Sequence, residues 1–252
     1  MDRKVVFAVP VGSKNYNVND RYSDEDFKTF LYPSFNDLYD NHNFSKAFTS
    51  DVDVEKHDIR KLSVMLWKAN VNFIELLFPH RVETNSALYE ELVNMRDDIA
   101  RMNLPYLYDA CLGMYNRKMK EFDRDIHYKP ERGLVDKEIT KEWERKINKH
   151  AATGYRILDF LDRFHNTSFE DFGYAIRYKK EDTGRHIILG MRNGAYTHET
   201  KLELLEDRLK TVEEIKDNYR KHPLNEKTKS IVGKIIKHYV QKSLSEELIN
   251  GG

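Results

Sequence analysis

Asp24 and Asp26 bracket a single residue in the stretch SDEDFK. On an extended strand that spacing sends both carboxylates to one face. Two like charges so placed need compensation at a partly closed site, and Mg²⁺ supplies it by taking one or two carboxylates together with substrate phosphate oxygens. Upstream, the apolar run VVFAVPV stops at Gly12 and Ser13. A glycine permits close backbone approach, and the N–H groups after it, with the serine hydroxyl, can hold the phosphates of a nucleotide. A third acid from the stretch DVDVE would complete a two-metal site, in which one ion activates an attacking hydroxyl and the other neutralises a pyrophosphate leaving group. Glu55 is the first choice for that ligand and Asp53 the second. Alone, a Gly-Ser pair is commonplace and DED is ordinary on a solvated strand or turn. The ordered set points to phosphoryl or nucleotidyl transfer.

The elements that must carry these residues are read from periodicity. KVVFAVPVGS is a buried strand running into a turn, and SDEDFKTFLY alternates as a second strand. In DVDVEKHDI, Asp53, Glu55 and His57 share one side and Val52 and Val54 the other. From Asp58 the period becomes helical through Ile59, Leu62, Leu66, Ala69, Phe73 and Leu76. A helix entered through Asn85 or Ser86 follows, and then two longer helical stretches with a loop at Pro130 and Gly133 between them. FGYAIRY reads as a strand or a short turn-rich segment. A charged amphipathic helix over residues 199–222 precedes a last helix from Lys227 to Ser245 that holds no acidic residue and places Ile231, Ile235 and Tyr239 on one face. Strands first and helices after make an α+β chain. A catalytic core over residues 1–84 and a mainly helical lobe over 85–252 are the expected domains.

Composition bounds the partners. The 252 residues are 40% hydrophobic and 33% charged, with 15 Tyr and 13 Phe, which is a folding rather than a disordered composition. Lys and Arg total 42, as do Asp and Glu, so there is no net field to draw the chain to nucleic acid or an anionic membrane. Any nucleic-acid contact is therefore local. A single cysteine, Cys111, forms no internal disulfide, and it reads as a packing residue. The opening residues carry too short an apolar run for a signal peptide, and a cytoplasmic protein with no membrane partner is expected.

The order of GS, DxD and a third acid resembles the nucleotidyltransferase superfamily of DNA polymerase β. Within it, the chain is most similar to the RlaP-like predicted nucleotidyltransferases, some of them encoded near RNA ligases. GSKNY, SDEDFK, DVEKHDIRKL and KANVNFIELLF stand where that family has its GS turn, its acidic pair, its third-acid strand and the helix after it. NKHAATGYRILDFL and MRNGAYTHE are similar to later family blocks, so the resemblance runs from about Val5 to about Glu214. Two positions depart: Asn17 replaces the usual glycine after the tyrosine, and Val71 replaces a proline. Asn accepts a left-handed backbone better than other non-glycine residues, so the first change is mild. The second alters the turn that presents Asn72 and Glu75.

The resemblance implies a metal-dependent transferase that moves an NMP from an NTP, ATP included, to a hydroxyl, with Mg²⁺ or Mn²⁺ as cofactor. It implies that Gly12 and Ser13 hold the triphosphate, that Asp24, Asp26 and Glu55, with Asp53, are the catalytic acids and metal ligands, and that Asn72 and Glu75 shape the nucleotide pocket. Lys149 and Arg156, one heptad apart with His150 between them, would meet phosphates from the second lobe. Lys28 is placed beside the nucleotide, and Lys28 and Arg60 fit equally as charge-balancing partners of the acidic strands. His150, beside Ala151 and Ala152, fits a packing role as readily as that of ligand or base; Arg192 and Asn193 fit an element terminus as readily as a nucleotide contact. RNA is the favoured acceptor through the RNA-ligase association, with a role in RNA repair, and the basic segment Lys227–Lys242 is a local candidate for its backbone. The contrasting function is a noncatalytic nucleotide- or RNA-binding regulatory module of the same fold.

Overall fold

The computed structural model describes residues 3–20, 23–48, 53–82, 84–127 and 137–250. It divides into two compact units, one of residues 1–16, 21–104 and 223–252, the other of residues 17–20 and 105–222. The boundary differs from the expected one after residue 84: the next two helices and the last helix belong with the strands.

The first unit is built on a four-stranded sheet of order β1-β2-β4-β3, with β1 Val5–Val11, β2 Asp26–Leu31, α1 Phe35–Tyr39, β3 Ser45–Phe48 and β4 Asp53–Asp58. β1 lies at an edge, which is why Pro10 is tolerated within it. The β1/β2 pair is antiparallel, β2/β4 parallel and β3/β4 antiparallel. A parallel pair needs a long crossover. Here it contains α1, which starts at a capping box in which Ser34 and Asp37 satisfy each other's backbone N–H groups. Phe7 stacks on Phe30 at 5.0 Å and meets Tyr89 at 4.7 Å, while Phe73 stands edge-on to Phe30 at 6.4 Å. Each such aromatic pair contributes about 1 kcal/mol beyond the area it buries.

After a 3₁₀ turn at Ile59–Lys61 come α2 Leu62–Trp67, α3 Val71–Ile74, a second 3₁₀ turn at Glu75–Leu77, α4 Ala87–Asn94 and α5 Arg96–Arg101. The continuous helical period from Asp58 to Leu77 is thus interrupted. Ala69 is left-handed at φ 46°, and the Asn70 side chain accepts from Asn72 N, so a new cap forms where the helix would have continued. Ser86 is the N-cap of α4.

The second unit is helical: α6 Leu104–His127, α7 Lys137–Asn166, α8 Phe172–Ile176, α9 Thr183–Arg192, α10 His198–Glu214 and α11 Lys216–Arg220. FGYAIRY forms α8 rather than a strand, because Asp171 caps it and Arg163 donates to the carbonyls of Tyr174, Ala175 and Arg177 around its end. Its core gathers Tyr108, Phe160, Phe164, Phe172 and Tyr219, all buried. The Pro130 and Gly133 loop lies outside the described residues.

Helix α12, Glu226–Asn250, returns to the first unit. Its buried stripe is Thr228, Val232, Ile236 and Val240. Ile231, Ile235 and Tyr239, expected inside, are only half-buried. Tyr239 instead donates its hydroxyl to Glu91 at 2.7 Å, and that bond raises the phenol to about 12. Among the described residues no helix is long and apolar enough to cross a membrane.

Candidate functional site

Where β1 ends, Gly12 turns left-handed at φ 76°, and Tyr16 N closes the turn on Gly12 O at 3.2 Å. β2 begins at Asp26, opposite Val11, so its first carboxylate lies against the turn. A β-carbon placed on Gly12 would stand 2.5 Å from Asp26 Oδ2, closer than any real side chain allows. Glycine is therefore required twice at this point, by its backbone angle and by the carboxylate pressed upon it. Ser13 is half-buried in the same turn.

The parallel register of β2 and β4 sets Asp53 beside Asp26 and Glu55 beside Lys28. Asp53 is described by its backbone alone. Glu55, half-exposed, is 3.2 Å from His57 Nε2 and 3.7 Å from Lys28 Nζ. It stands two register positions further along than the Asp26/Asp53 pair, so the acid beside Asp26 in register is the second choice, Asp53. Asp24 lies two residues before β2, beyond the last β1/β2 pair of Val11 with Asp26, and it is exposed. Among the described residues no group of three or more His, Cys, Asp or Glu side chains is arranged to hold a metal ion. The set Asp24, Asp26 and Glu55 is accordingly not gathered into one cluster.

Lys28 is buried; its ammonium donates to Asn72 O at 3.2 Å and lies 4.8 Å from the Phe73 ring centre. Asn72 thus enters through its carbonyl. Burial pushes His57 below its ordinary value, against the opposing pull of Glu55. Arg60 pairs with the buried carboxylate of Asp58 through two 3.0 Å bonds from Nε, a charge-balancing role one strand pair past His57. Glu75, also buried, faces Asn15 Nδ2 at 3.5 Å, and Asn15 Oδ1 accepts from His80 N at 2.9 Å. Glu75 and the fully buried Asn15 therefore brace the turn that follows Ser13. Sequence reasoning passed over Asn15, and over Arg81, which pairs with Glu25 at 2.9 Å just before β2. The available signals were an Asn inside a turn and an unmatched charge near the acidic pair.

A cavity of about 520 Å³ opens at the other end of the sheet, lined by Lys4, Val6, Tyr32, Ser86 and Lys242 among others. Val5 and Val11 are the two ends of β1, so the Gly12 turn lies about 20 Å from it.

In the second unit, Lys149 is exposed on α7, and Arg156 is buried. Both ring nitrogens of His150 are engaged within this unit, Nε2 with Asp125 Oδ2 at 3.1 Å and Nδ1 with Glu121 Oε2 at 3.2 Å. Burial lowers the pKa of its ring, opposed by the bond to Asp125. This makes His150 a buried bridge between α6 and α7. Asn17 is left-handed at φ 59° and donates to Tyr178 O at 2.7 Å. Arg192 holds Asp20 and the Val18 carbonyl, and Asn193 caps the end of α9.

No protein-family model matches the chain, and no curated protein matches it. Among solved structures, the crystal structure of a nucleotidyltransferase-like protein from Exiguobacterium sibiricum 255-15 is similar over 95% of this chain and 74% of that one, at 9% identity and a TM-score of 0.31. A likeness so remote adds nothing to the account of the site; the α+β class rests on the sheet and the helices themselves.

Proposed function

We propose that the first unit carries out metal-dependent nucleotidyl transfer, moving an NMP from an NTP to a hydroxyl acceptor with release of pyrophosphate. The observation that carries this reading is the contact of the Gly12 turn with the Asp26 carboxylate. The Asp26 carboxylate lies against the Gly12 turn, the proximity expected if the turn held phosphate and the acid held its metal.

The donor set fits a hard cation: carboxylates of Asp26 and Asp24, with Asp53 at the register position beside Asp26. Mg²⁺ or Mn²⁺ bound there would neutralise the triphosphate and lower the pKa of the attacking hydroxyl. The chain's own residues do the rest. Backbone N–H groups after Gly12 and the Ser13 hydroxyl hold phosphate oxygens, while Asn15 and Glu75 keep the turn in shape. Lys28 balances the acidic strand ends from within the sheet. Glu55 serves as partner to Lys28 and His57 in this reading, with Asp53 as the third acid.

A noncatalytic nucleotide-binding module is the second reading, and one observation favours it: Asp24, Asp26 and Glu55 are not clustered. Incubation with Mg²⁺, each α-labelled NTP in turn and separate RNA, protein and small-molecule acceptors distinguishes the two. Label transfer that disappears in Asp26→Asn supports the enzyme, and NTP binding without transfer supports the module.

A further inference from the structure

The cavity of about 520 Å³ at the far end of the sheet is bounded, within the first unit, by the paired ends of β1 and β2, the start of α4 and the C-terminal half of α12. Its volume is in the ~300–1,000 Å³ range of small-molecule sites. Tyr32, just past β2, lines it and is only 9% exposed, yet its hydroxyl has no hydrogen-bond partner among the described residues. A buried tyrosine hydroxyl ordinarily finds one. The oxygen is not sealed in, because among the described residues His165 Nδ1 is the one fully buried side-chain nitrogen or oxygen left without a partner. The little surface that Tyr32 keeps therefore includes its oxygen. Burial pushes the phenol up, and Glu246, itself on the cavity wall, adds to that push, which sets the hydroxyl on the cavity side.

Around this hydroxyl the wall offers donors. Lys242 is exposed and makes no ion pair among the described residues. The N–H of Ala87, the first residue of α4, has no partner among them either, since the Ser86 side chain caps Tyr89 N instead. That N–H carries the positive end of the helix. Lys4 donates to Glu246 at 3.0 Å, and Glu246 is the one carboxylate of the wall. Two ammoniums against one carboxylate leave the wall a net positive charge, to which the helix end adds about half a charge.

We propose that this cavity binds a small phosphate monoester, its phosphate held by Lys242, Tyr32 and the start of α4 and its organic part lying along Val5 and Val6. Donors from three separate elements suit the three terminal oxygens of a tetrahedral anion better than the two coplanar oxygens of a carboxylate. A monoester carries about −1.5 to −2 charges at neutral pH, which matches the wall with its helix end more closely than a single carboxylate charge does. A bare phosphate would fill a small part of the cavity and leave the two valines uncovered. The Gly12 turn lies about 20 Å away, so this site is separate from the proposed transferase site and does not rest on it.

The test is isothermal titration calorimetry of the full chain in EDTA and without NTP. The probe is phenyl phosphate, compared with inorganic phosphate, which lacks the ring, and with benzoate, which carries a carboxylate on the same ring. Phenyl phosphate is expected to bind once per chain, and the other two at least about tenfold more weakly. Lys242→Gln should weaken phenyl phosphate at least about tenfold and Tyr32→Phe at least about fivefold. The Tyr32 hydroxyl has no partner to lose, so Tyr32→Phe keeps the wild-type melting temperature and its weaker binding reports the ligand rather than the fold. Ser13→Ala, a change at the Gly12 turn, leaves phenyl phosphate binding as it is. Benzoate as tight as phenyl phosphate, binding lost in Ser13→Ala rather than in Lys242→Gln, wild-type affinity in both Lys242→Gln and Tyr32→Phe, or no binding at millimolar concentration overturns the proposal. With neither NTP nor metal in the assay, absence of transfer chemistry leaves its outcome unchanged, and an empty cavity leaves the Asp26 assay unchanged.

Discussion

Gly12 and Asp26 are in such close approach that the carboxylate Oδ2 occupies the space a side chain at residue 12 would need, 2.5 Å from the β-carbon position. The contact joins the end of β1 to the start of β2, and it determines what substitution at either residue does.

Gly12→Ala should fold with reduced stability. Left-handed backbone costs an L-residue about 1–2 kcal/mol, and the added methyl must push the Asp26 carboxylate aside. Urea unfolding measures the loss. Activity is expected to fall further than stability, because the displaced group is the acid itself, and an Asp26→Asn background should erase that extra loss. A Gly12→Ala protein with full activity would separate the turn from the chemistry.

Asp53 and Glu55 should differ sharply. With Asp53 beside Asp26 in register and Glu55 beside Lys28, Asp53→Asn is expected to lower transfer at least about a hundredfold, while Glu55→Gln stays within about tenfold. The reverse ranking, measured as kcat/KM at saturating Mg²⁺, would restore Glu55 as the third acid.

Acid stability of the first unit depends on Asp37. Its carboxylate, 5% exposed, is held well below the usual carboxylate range, first by the Arg3 guanidinium at 2.7 Å and then by Ser34 and His42. A depressed folded value contributes stability above the unfolded carboxylate value near about 4, and the contribution is lost as pH falls through the folded value. Asp37→Asn should therefore destabilise by about 3 kcal/mol at neutral pH. The gap from wild type should narrow below about pH 4. A constant gap from pH 7 to pH 2 would contradict the assignment.

Cys111 reports on the second unit. It is fully buried, and burial raises its thiol to about 12. Labelling by a thiol reagent at pH 8 should be slower than in urea by about a thousandfold, from the loss of thiolate alone. Rapid native labelling would mean that α6 opens readily.

β1, β2 and β4 were legible because they repeat apolar residues at a period of two or in unbroken runs, and the Gly12 turn because only glycine suits it; the four-residue β3 and the five-residue α1 between β2 and β4 were not read, being too short to show a period. Asn17, read as a residue tolerant of left-handed backbone, adopts φ 59°. Register was not legible: whether Asp53 or Glu55 stands beside Asp26 depends on the parallel pairing of β2 with β4, which no local pattern encodes. The break at Ala69 escaped because the apolar period runs through it, and the Asn70 cap outweighs it. The inward face of α12 was misplaced by one position, since rows at both i+3 and i+4 are half apolar and packing against the first unit selects one of them.

The central claim is that Asp26, seated on the Gly12 turn, is required for transfer of a nucleotide. The direct measurement is the rate at which α-labelled NTP is incorporated into acceptor by wild type and by Asp26→Asn, with NTP binding and melting temperature determined on the same preparations. The account predicts incorporation by wild type and a loss of at least about a thousandfold in the variant, with the fold intact. Substantial incorporation by Asp26→Asn, or none by a folded, NTP-binding wild type with RNA, protein and small-molecule acceptors alike, would contradict it.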